Sequence, residues 1–510
     1  MGGFVGRREE LEMLERSFGE PSAFLVYGRR RIGKTALLRR FCEGKRHVYL
    51  MCQNSSRSDN LRYIAKSVSR FTGSPAGPYE DYGDALRDIG LICAEAPTVV
   101  VIDEYQWLAS TDGAVSSSLQ EFIDLSLPET GSMLILCGSS VGSMRAEGED
   151  PDRPLYGRFR RVLALGPLTL RECAEFHPGM PDGDLLRLYL TVGGVPAYHE
   201  RMRGATYREC VEEAFAYGGW AEDEASSLLR MEPACNRHAP AVLSAIGSGA
   251  SRLRDVADRA GLDSSLCLKA LKALEAVGVV GRAVPMLGAP KSPAYRIDDY
   301  LLSFYFGVLS ENRLIVENNP PAMAYGALEQ AVSSHLGRMF EVYCEGLVAR
   351  SYPVKELGKW WLDDSRRGVH EELDIVAKVY SGGRRRDLLV ECKLTSRRAG
   401  IGEYRDLERR SRIAEAKDCR LMLISPSGFD EGLASLAGRE GLLLAGMDEV
   451  FGRSPMPPLE RDGPPFRLGG PRLLGVGILG RPVEGHLHVH LAHRAPATMP
   501  STVCSVVTPY

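Results

Sequence analysis

No uninterrupted run of about 18 apolar residues occurs in the chain, so the sequence offers no membrane-spanning helix. The opening MGGFVGRREELEML has no apolar signal stretch. Cysteine occurs twelve times but never as a C-x-x-C pair, which argues against a disulfide scaffold or structural zinc and for reduced thiols in a cytoplasm. Net charge is also scarce, at -3 over 510 residues, so a basic surface for nucleic acid has to be local. What remains is a soluble intracellular chain too long for one core, with several domains expected.

The most informative stretch is Gly28-Arg29-Arg30-Arg31-Ile32-Gly33-Lys34-Thr35, followed by Ala36. Its spacing G-x-x-x-x-G-K-[ST] lies between an apolar run and a helical segment, the setting of a phosphate-binding P-loop. Backbone N–H groups at a helix N-terminus would cradle the phosphates of ATP, Lys34 would reach the β- and γ-phosphates, and Thr35 would ligate Mg2+. Upstream, the turn at Gly6-Arg7 makes Arg7 a candidate contact to the base. Downstream, Thr98 to Ile102 is a β-branched strand ending in Asp103-Glu104. Acids at the carboxyl end of a buried parallel strand suit Asp103 to magnesium and Glu104 to polarising the attacking water. A further strand, Met133 to Cys137, leads to Ser139, placed to orient that water. Arg158 is a candidate for stabilising transition-state charge, either in cis or from a neighbouring copy, which would require a homo-oligomer.

From Thr169 to about Glu232 the pattern is helical, interrupted at Gly193-Gly194-Val195-Pro196, and reads as a lid. Three helical segments between Pro240 and Arg282, with short strands Val279 to Val284 and Ala294 to Ile297, make a winged helix. Its third helix carries only Lys269 and Lys272, so DNA contact and a protein–protein role both stay open. Asp299 to Leu314 reads as one aromatic helix, and Asn318 to Pro321 as a boundary.

The last third holds a second constellation. Glu371 to Tyr380 and Asp387 to Lys393 read as strands around Gly382-Gly383, a two-residue hairpin signal. That turn sets Asp374 opposite Glu391, with Lys393 on the same face. Asp374 and Glu391 could then hold a divalent cation, with Lys393 orienting water or steadying an oxyanion. The arginine pairs and triplets at 384–386, 397–398 and 409–410 suit a phosphodiester backbone. Residues 451–510, rich in Pro, Gly, Arg and His, are expected to be a disordered tail.

The order FVGRREE, GRRRIGKT, VVVIDEYQWL, LILCGSS, LYGR and GGVPAY, followed by a winged helix, resembles the STAND-type, AAA+-related ATPases of archaea and bacteria. The resemblance implies an α/β P-loop NTPase fold of the ASCE, AAA+-like type over 1–166, a lid over 167–235 and a winged helix over 236–318. It also implies a C-terminal PD-(D/E)xK nuclease-like domain over 325–450, in which Leu373 replaces the usual proline. Pro196 then approaches the adenine, and Glu341 joins Asp374, Glu391 and Lys393. The function implied is an ATP-binding, Mg2+-dependent ATPase switch coupled to a DNA-associated, nucleolytic domain. The alternative is a regulatory switch whose C-terminal domain only binds a protein or DNA partner.

Overall fold

The computed structural model describes residues 4–459 except 217, 232–236, 289–291, 365–368 and 417. The expected tail, with its histidines, therefore lies outside the described residues from 460 onward. Among the described residues no helix is long and apolar enough to cross a membrane.

The N-terminal part alternates strands and helices: α1 (Arg8–Ser17), β1 (Ser22–Tyr27), α2 (Lys34–Cys42), β2 (His47–Met51), α3 (Arg57–Thr72), α4 (Tyr82–Glu95), β3 (Val99–Asp103), α5 (Gln106–Thr111), β4 (Met133–Gly138) and β5 (Arg161–Ala164). The five strands form one parallel sheet in the order β2-β3-β4-β1-β5. Every residue of β1, β3 and β4 is buried, which is why they read as continuous apolar runs. Alternate residues serve opposite cores. Phe24, Val26, Val99, Val101 and Ile135 face α1 and α2. Leu25, Val100, Ile102, Leu134 and Leu136 face α3 and α4.

Beyond the sheet come α6 (Asp182–Val192), α7 (Pro196–Arg201) and α8 (Trp220–Met231). Next are α9 (Ala239–Gly247), α10 (Leu253–Ala260) and α11 (Ser264–Ala276), with the hairpin β6 (Val280–Ala283) and β7 (Ala294–Ile297). Asp263 caps α11 through its carboxylate. This unit has its own core around Val242, Leu271 and Leu274. The expected helix from Asp299 forms as α12 (Tyr300–Phe304) continued by one π-helical turn over Tyr305–Leu309, and stops short of Leu314, where a separate helix from Arg313 takes over.

The C-terminal part contains α13 (Pro321–Ser351), β8 (Val354–Asp364), β9 (Val369–Ser381), β10 (Arg384–Cys392), α14 (Ile401–Ile413), β11 (Cys419–Ile424), α15 (Glu431–Glu440) and β12 (Leu443–Ala445). Its sheet, in the order β12-β11-β10-β9-β8, is mixed, antiparallel at the β8-β9-β10 end and parallel toward β12. The β9–β10 turn uses Gly382 and Gly383, both at positive φ (55° and 71°), and pairs Ser381 with Arg384 and Ile375 with Val390. That register puts Asp374 and Glu391 side by side on one face.

Two boundaries differ from the sequence reading. The lid helices and the C-terminal sheet share one continuous core, from Leu168 and Leu188 through Phe340 to Ile375 and Leu388. Order also continues past 450. Phe451 and Leu459 are buried, Arg453 pairs with Asp182 at 2.6 Å, and the Tyr352 hydroxyl donates to the Pro457 carbonyl at 2.7 Å.

Candidate functional site

The first site lies where β1, β3 and β4 end. Gly28 is needed there because a Cβ would strike the Leu165 backbone, and Gly33, at φ 94°, caps α2 in the left-handed region. The Lys34 ammonium donates to the Gly28 and Arg29 carbonyls at 2.8 and 3.0 Å. Burial lowers its pKa, although nearby Glu104 and Asp103 pull the other way. Ile32 is buried beneath the loop and Ala36 is exposed on α2. The Pro196 ring packs beside Gly33, which puts the GGVP turn against the loop.

Asp103 and Glu104 divide their contacts. Asp103 Oδ2 accepts from Thr35 Oγ1 at 2.9 Å and from the Tyr49 hydroxyl at 2.6 Å. A hydroxyl touching a carboxylate at the N-terminus of α2 suits a hard divalent cation, so the residues present fit magnesium. Glu104 sits at φ 59°, an uncommon conformation for a side-chain-bearing residue. Its Oε2 accepts from Ser139 Oγ at 2.6 Å and from Gln106 Nε2. Tyr49 and Gln106 were not singled out from the sequence. Tyr49 is signalled there only by its place in the second strand, and Gln106 by its place in VVVIDEYQWL two residues after Glu104.

Two arginine expectations need correction. Arg158 is not at the P-loop in this chain. It follows the fully buried Leu155 and pairs with Asp124 at 2.9 Å, just before Arg160, whose N–H bonds Ala23 at the opposite end of β1. Arg7 is buried, and its guanidinium is spent on the Ile32 carbonyl at 3.0 Å, the Gly166 carbonyl at 2.5 Å and Glu10 at 3.0 Å. It braces the P-loop instead of facing a base. The loop arginines reach out of the domain: Arg29 pairs with Asp299 at 2.6 Å, and Arg31 pairs with Glu224 of α8. Arg30 is half-buried.

The second site lies on the β9–β10 face. Carboxylate oxygens of Glu341, Glu372 and Asp374 lie within 4.8 Å of one another, a cluster able to hold a metal ion. Glu391 is not in that cluster, although it lies beside Asp374 as the hairpin register expects. Its Oε1 is taken by Lys393 Nζ at 2.6 Å and Arg410 at 2.8 Å, while its buried Oε2 has no hydrogen-bond partner among the described residues. Burial, then the Glu391 and Glu341 charges, raise the Asp374 pKa, and the Cys392 N–H donates to it at 2.8 Å. Lys359 was missed from the sequence. It donates to Glu341 and faces Asp374 and Glu372, whose charges outweigh burial and raise its pKa. Much of the basic stretch is already paired, with Arg409 and Arg410 on Glu371 and Arg397 on Glu403.

The parallel sheet and the lysine-bearing loop at its carboxyl end define a P-loop nucleotide-binding protein. The family described as an ATPase domain predominantly from Archaea matches residues 4–201, and the chain belongs to it as an ATP-hydrolysing protein. A second family, described as archaeal and bacterial proteins of unknown function, matches residues 305–404, which include the acidic cluster. An uncharacterized protein of Methanocaldococcus jannaschii is 27% identical over 431 residues, covering 81% of this chain and 93% of the relative. An uncharacterized ATP-binding protein of the same organism is 56% identical over 45 residues, 8% of this chain and 76% of that protein. A Walker-type ATPase of Pyrococcus abyssi is similar in structure, with TM-score 0.47, 20% identity, and 59% of this chain and 96% of that one covered.

Proposed function

We propose that this ATPase is a magnesium-dependent nucleotide switch whose C-terminal half acts on DNA through a divalent-cation site. The observation supporting the switch is the connected set Lys34, Thr35, Asp103, Glu104 and Ser139 at the strand ends. Lys34 and the backbone of residues 28–35 bind the phosphates, and Thr35 with Asp103 hold the cation, which supplies charge neutralisation when bound. Glu104 takes the proton of the attacking water, and Ser139 keeps that carboxylate in place. Arg29–Asp299, Arg31–Glu224 and the Pro196–Gly33 contact give the loop three attachments to the lid and beyond, so a change of loop shape is felt there. The units are an ATPase domain (1–166), a helical lid (167–235), a winged helix (236–318) and a PD-(D/E)xK-like domain from 325 to 459. Lys34→Ala should lose ATP affinity. Glu104→Gln should still bind ATP and turn over little, and hydrolysis at the wild-type rate would refute the base assignment.

The nucleolytic reading of the C-terminal half rests on the Glu341–Glu372–Asp374 cluster, with Lys393 beside it. DNA would approach over the winged helix, where Lys269 and Lys272 are exposed, or over the β9–β10 face. A second reading, a regulatory domain that binds a partner without cutting, is favoured by one observation. The acids already carry internal cations, Lys359 on Glu341 and Arg410 on Glu391. Supercoiled plasmid incubated with Mg2+ or Mn2+ separates the two: nicking by wild type that is lost in Asp374→Ala and Lys393→Ala supports cleavage, and equal behaviour of all three refutes it.

A further inference from the structure

Gln106, at the first position of α5, is 6% exposed. Its Nε2 donates to Glu104 Oε2 and to Ser139 Oγ at 3.2 Å, and Ser139 itself donates to the same Glu104 oxygen at 2.6 Å. The three side chains close a triangle on one carboxylate oxygen. The other oxygen of Glu104 takes no hydrogen bond among the described residues, so the grip leaves it for water.

The orientation of the Gln106 amide follows from its partners. A carboxylate can only accept, so the NH2 end has to face Glu104 and the carbonyl end has to face away. Facing away leaves Oε1 buried and without a partner among the described residues. It lies against Gly138, where a Cβ would collide with both Gln106 Oε1 and Met144 Sδ, so the end of β4 is glycine to admit this amide. A buried acceptor left unpaired destabilises a fold, and an apolar residue of similar shape would avoid the cost. Gln106 is therefore poorly suited to stability alone and well suited to holding Glu104, whose backbone is already in the uncommon left-handed region. Local rules broken at one spot, with a donor aimed at the base, mark a functional constraint.

We infer that Gln106 is a positioning residue for ATP hydrolysis: it fixes the Glu104 carboxylate, jointly with Ser139, and contributes to turnover without contributing to nucleotide binding. The inference rests on the assignment of Glu104 as the base. Gln106→Leu removes the donor and the orphaned acceptor together, and Gln106→Met does the same while keeping the unbranched length of the side chain. Both should lower kcat by about 10- to 100-fold. In both, KM for ATP and affinity for a fluorescent ATP analogue should stay within about twofold of wild type, since a positioning role touches only the chemical step. Gln106→Leu should melt no lower than wild type, a result a merely structural role would not give. Turnover within about twofold of wild type in Gln106→Leu, or a kcat loss accompanied by matching losses of affinity and melting temperature, overturns the inference. Glu104→Gln is run alongside. If it is slow while Gln106→Leu is fast, only the inference about Gln106 fails; if Glu104→Gln is itself fast, the base assignment fails.

Discussion

Lys359→Met tests whether the C-terminal acidic cluster is built around a cation. Lys359 has a side chain 19% exposed, donates to Glu341, and sits among carboxylates whose oxygens lie within 4.8 Å of one another. At an effective dielectric of about 20, two unit charges 4.8 Å apart repel by about 3.5 kcal/mol, so three ionised carboxylates cannot share this site without a counter-charge. Removing one partner of a largely buried pair costs about 3 kcal/mol. That corresponds to a fall of about 6–12 °C in melting temperature for a unit of this size. The variant should show that fall in the presence of EDTA. Mn2+ at a hundred times its dissociation constant should then return about 2.7 kcal/mol, recovering most of the loss. Wild type, whose lysine already supplies the charge, should gain less. Differential scanning calorimetry in EDTA and in Mn2+ reads both quantities, with Lys359→Met/Glu372→Gln as the control that loses the Mn2+ response. Melting of Lys359→Met within about 2 °C of wild type in EDTA, or an Mn2+ gain no larger than that of wild type, refutes the reasoning.

Two further outcomes follow from the geometry. Asp374 has a raised pKa, so the folded state binds its proton more tightly than the unfolded chain does. The stability from that proton is present below the ordinary carboxylate value and is lost as pH rises through the folded-state pKa. Asp374→Asn should therefore melt about 2–4 °C above wild type at neutral pH without metal, the advantage vanishing toward about pH 4; thermal melts from pH 4 to 8 check it, and a pH-independent difference counts against it. Asp299→Asn keeps the cap on Leu302 that Asp299 provides at 2.8 Å but drops the charge facing Arg29 at 2.6 Å. ATP affinity should rise about fivefold as Arg29 is released to phosphate; titration with a fluorescent analogue reads it, and unchanged or weaker binding refutes it.

The nucleotide site was legible because its information is local. Gly28, Gly33, Lys34 and Thr35 lie within eight positions, and Asp103-Glu104 ends a strand whose burial its own residues announce. The hairpin register was legible for the same reason, since Gly382 and Gly383 take the positive φ angles that dipeptide favours. Lys359, Glu372 and Arg410 were not legible as one site. They come from β8, β9 and α14, and nothing in the linear order brings them to Asp374. The place of Arg158 away from the P-loop of its own chain was not legible because the spacing of a motif along the chain does not say at which end of a parallel sheet it lies. The core shared by the lid helices and the C-terminal sheet was not legible, because contact between residues far apart, such as Leu188 and Leu388, leaves no trace in composition. Strand β5 was overlooked because three of its four residues are exposed, so it lacks the apolar run of its neighbours.

Residues 296–299 explain how the two halves of the chain are held in register. Asp299 reaches Arg29 of the P-loop at 2.6 Å, while Arg296 donates to Asp298 at 2.7 Å and forms an ion pair with Glu345 at 2.6 Å. Glu345 lies one turn beyond Glu341 on α13, and Glu341 is the acid that Lys359 holds. The Lys359 backbone in turn pairs with Val284 and Met286, which follow β6 of the same hairpin, at 2.9 and 2.8 Å. A displacement of Arg29 therefore has two outcomes: the 2.6 Å pair with Asp299 breaks, or the segment 296–299 moves with it and strains the buried Arg296–Glu345 pair. The first leaves the acidic cluster indifferent to nucleotide, and the second makes it respond. Burial does not separate the two pairs, since Arg29 and Asp299 are 28% and 9% exposed and Arg296 and Glu345 24% and 16%. The Arg29–Asp299 pair is the contact between the P-loop and this segment, and Asp299→Asn cuts it while keeping the cap on Leu302.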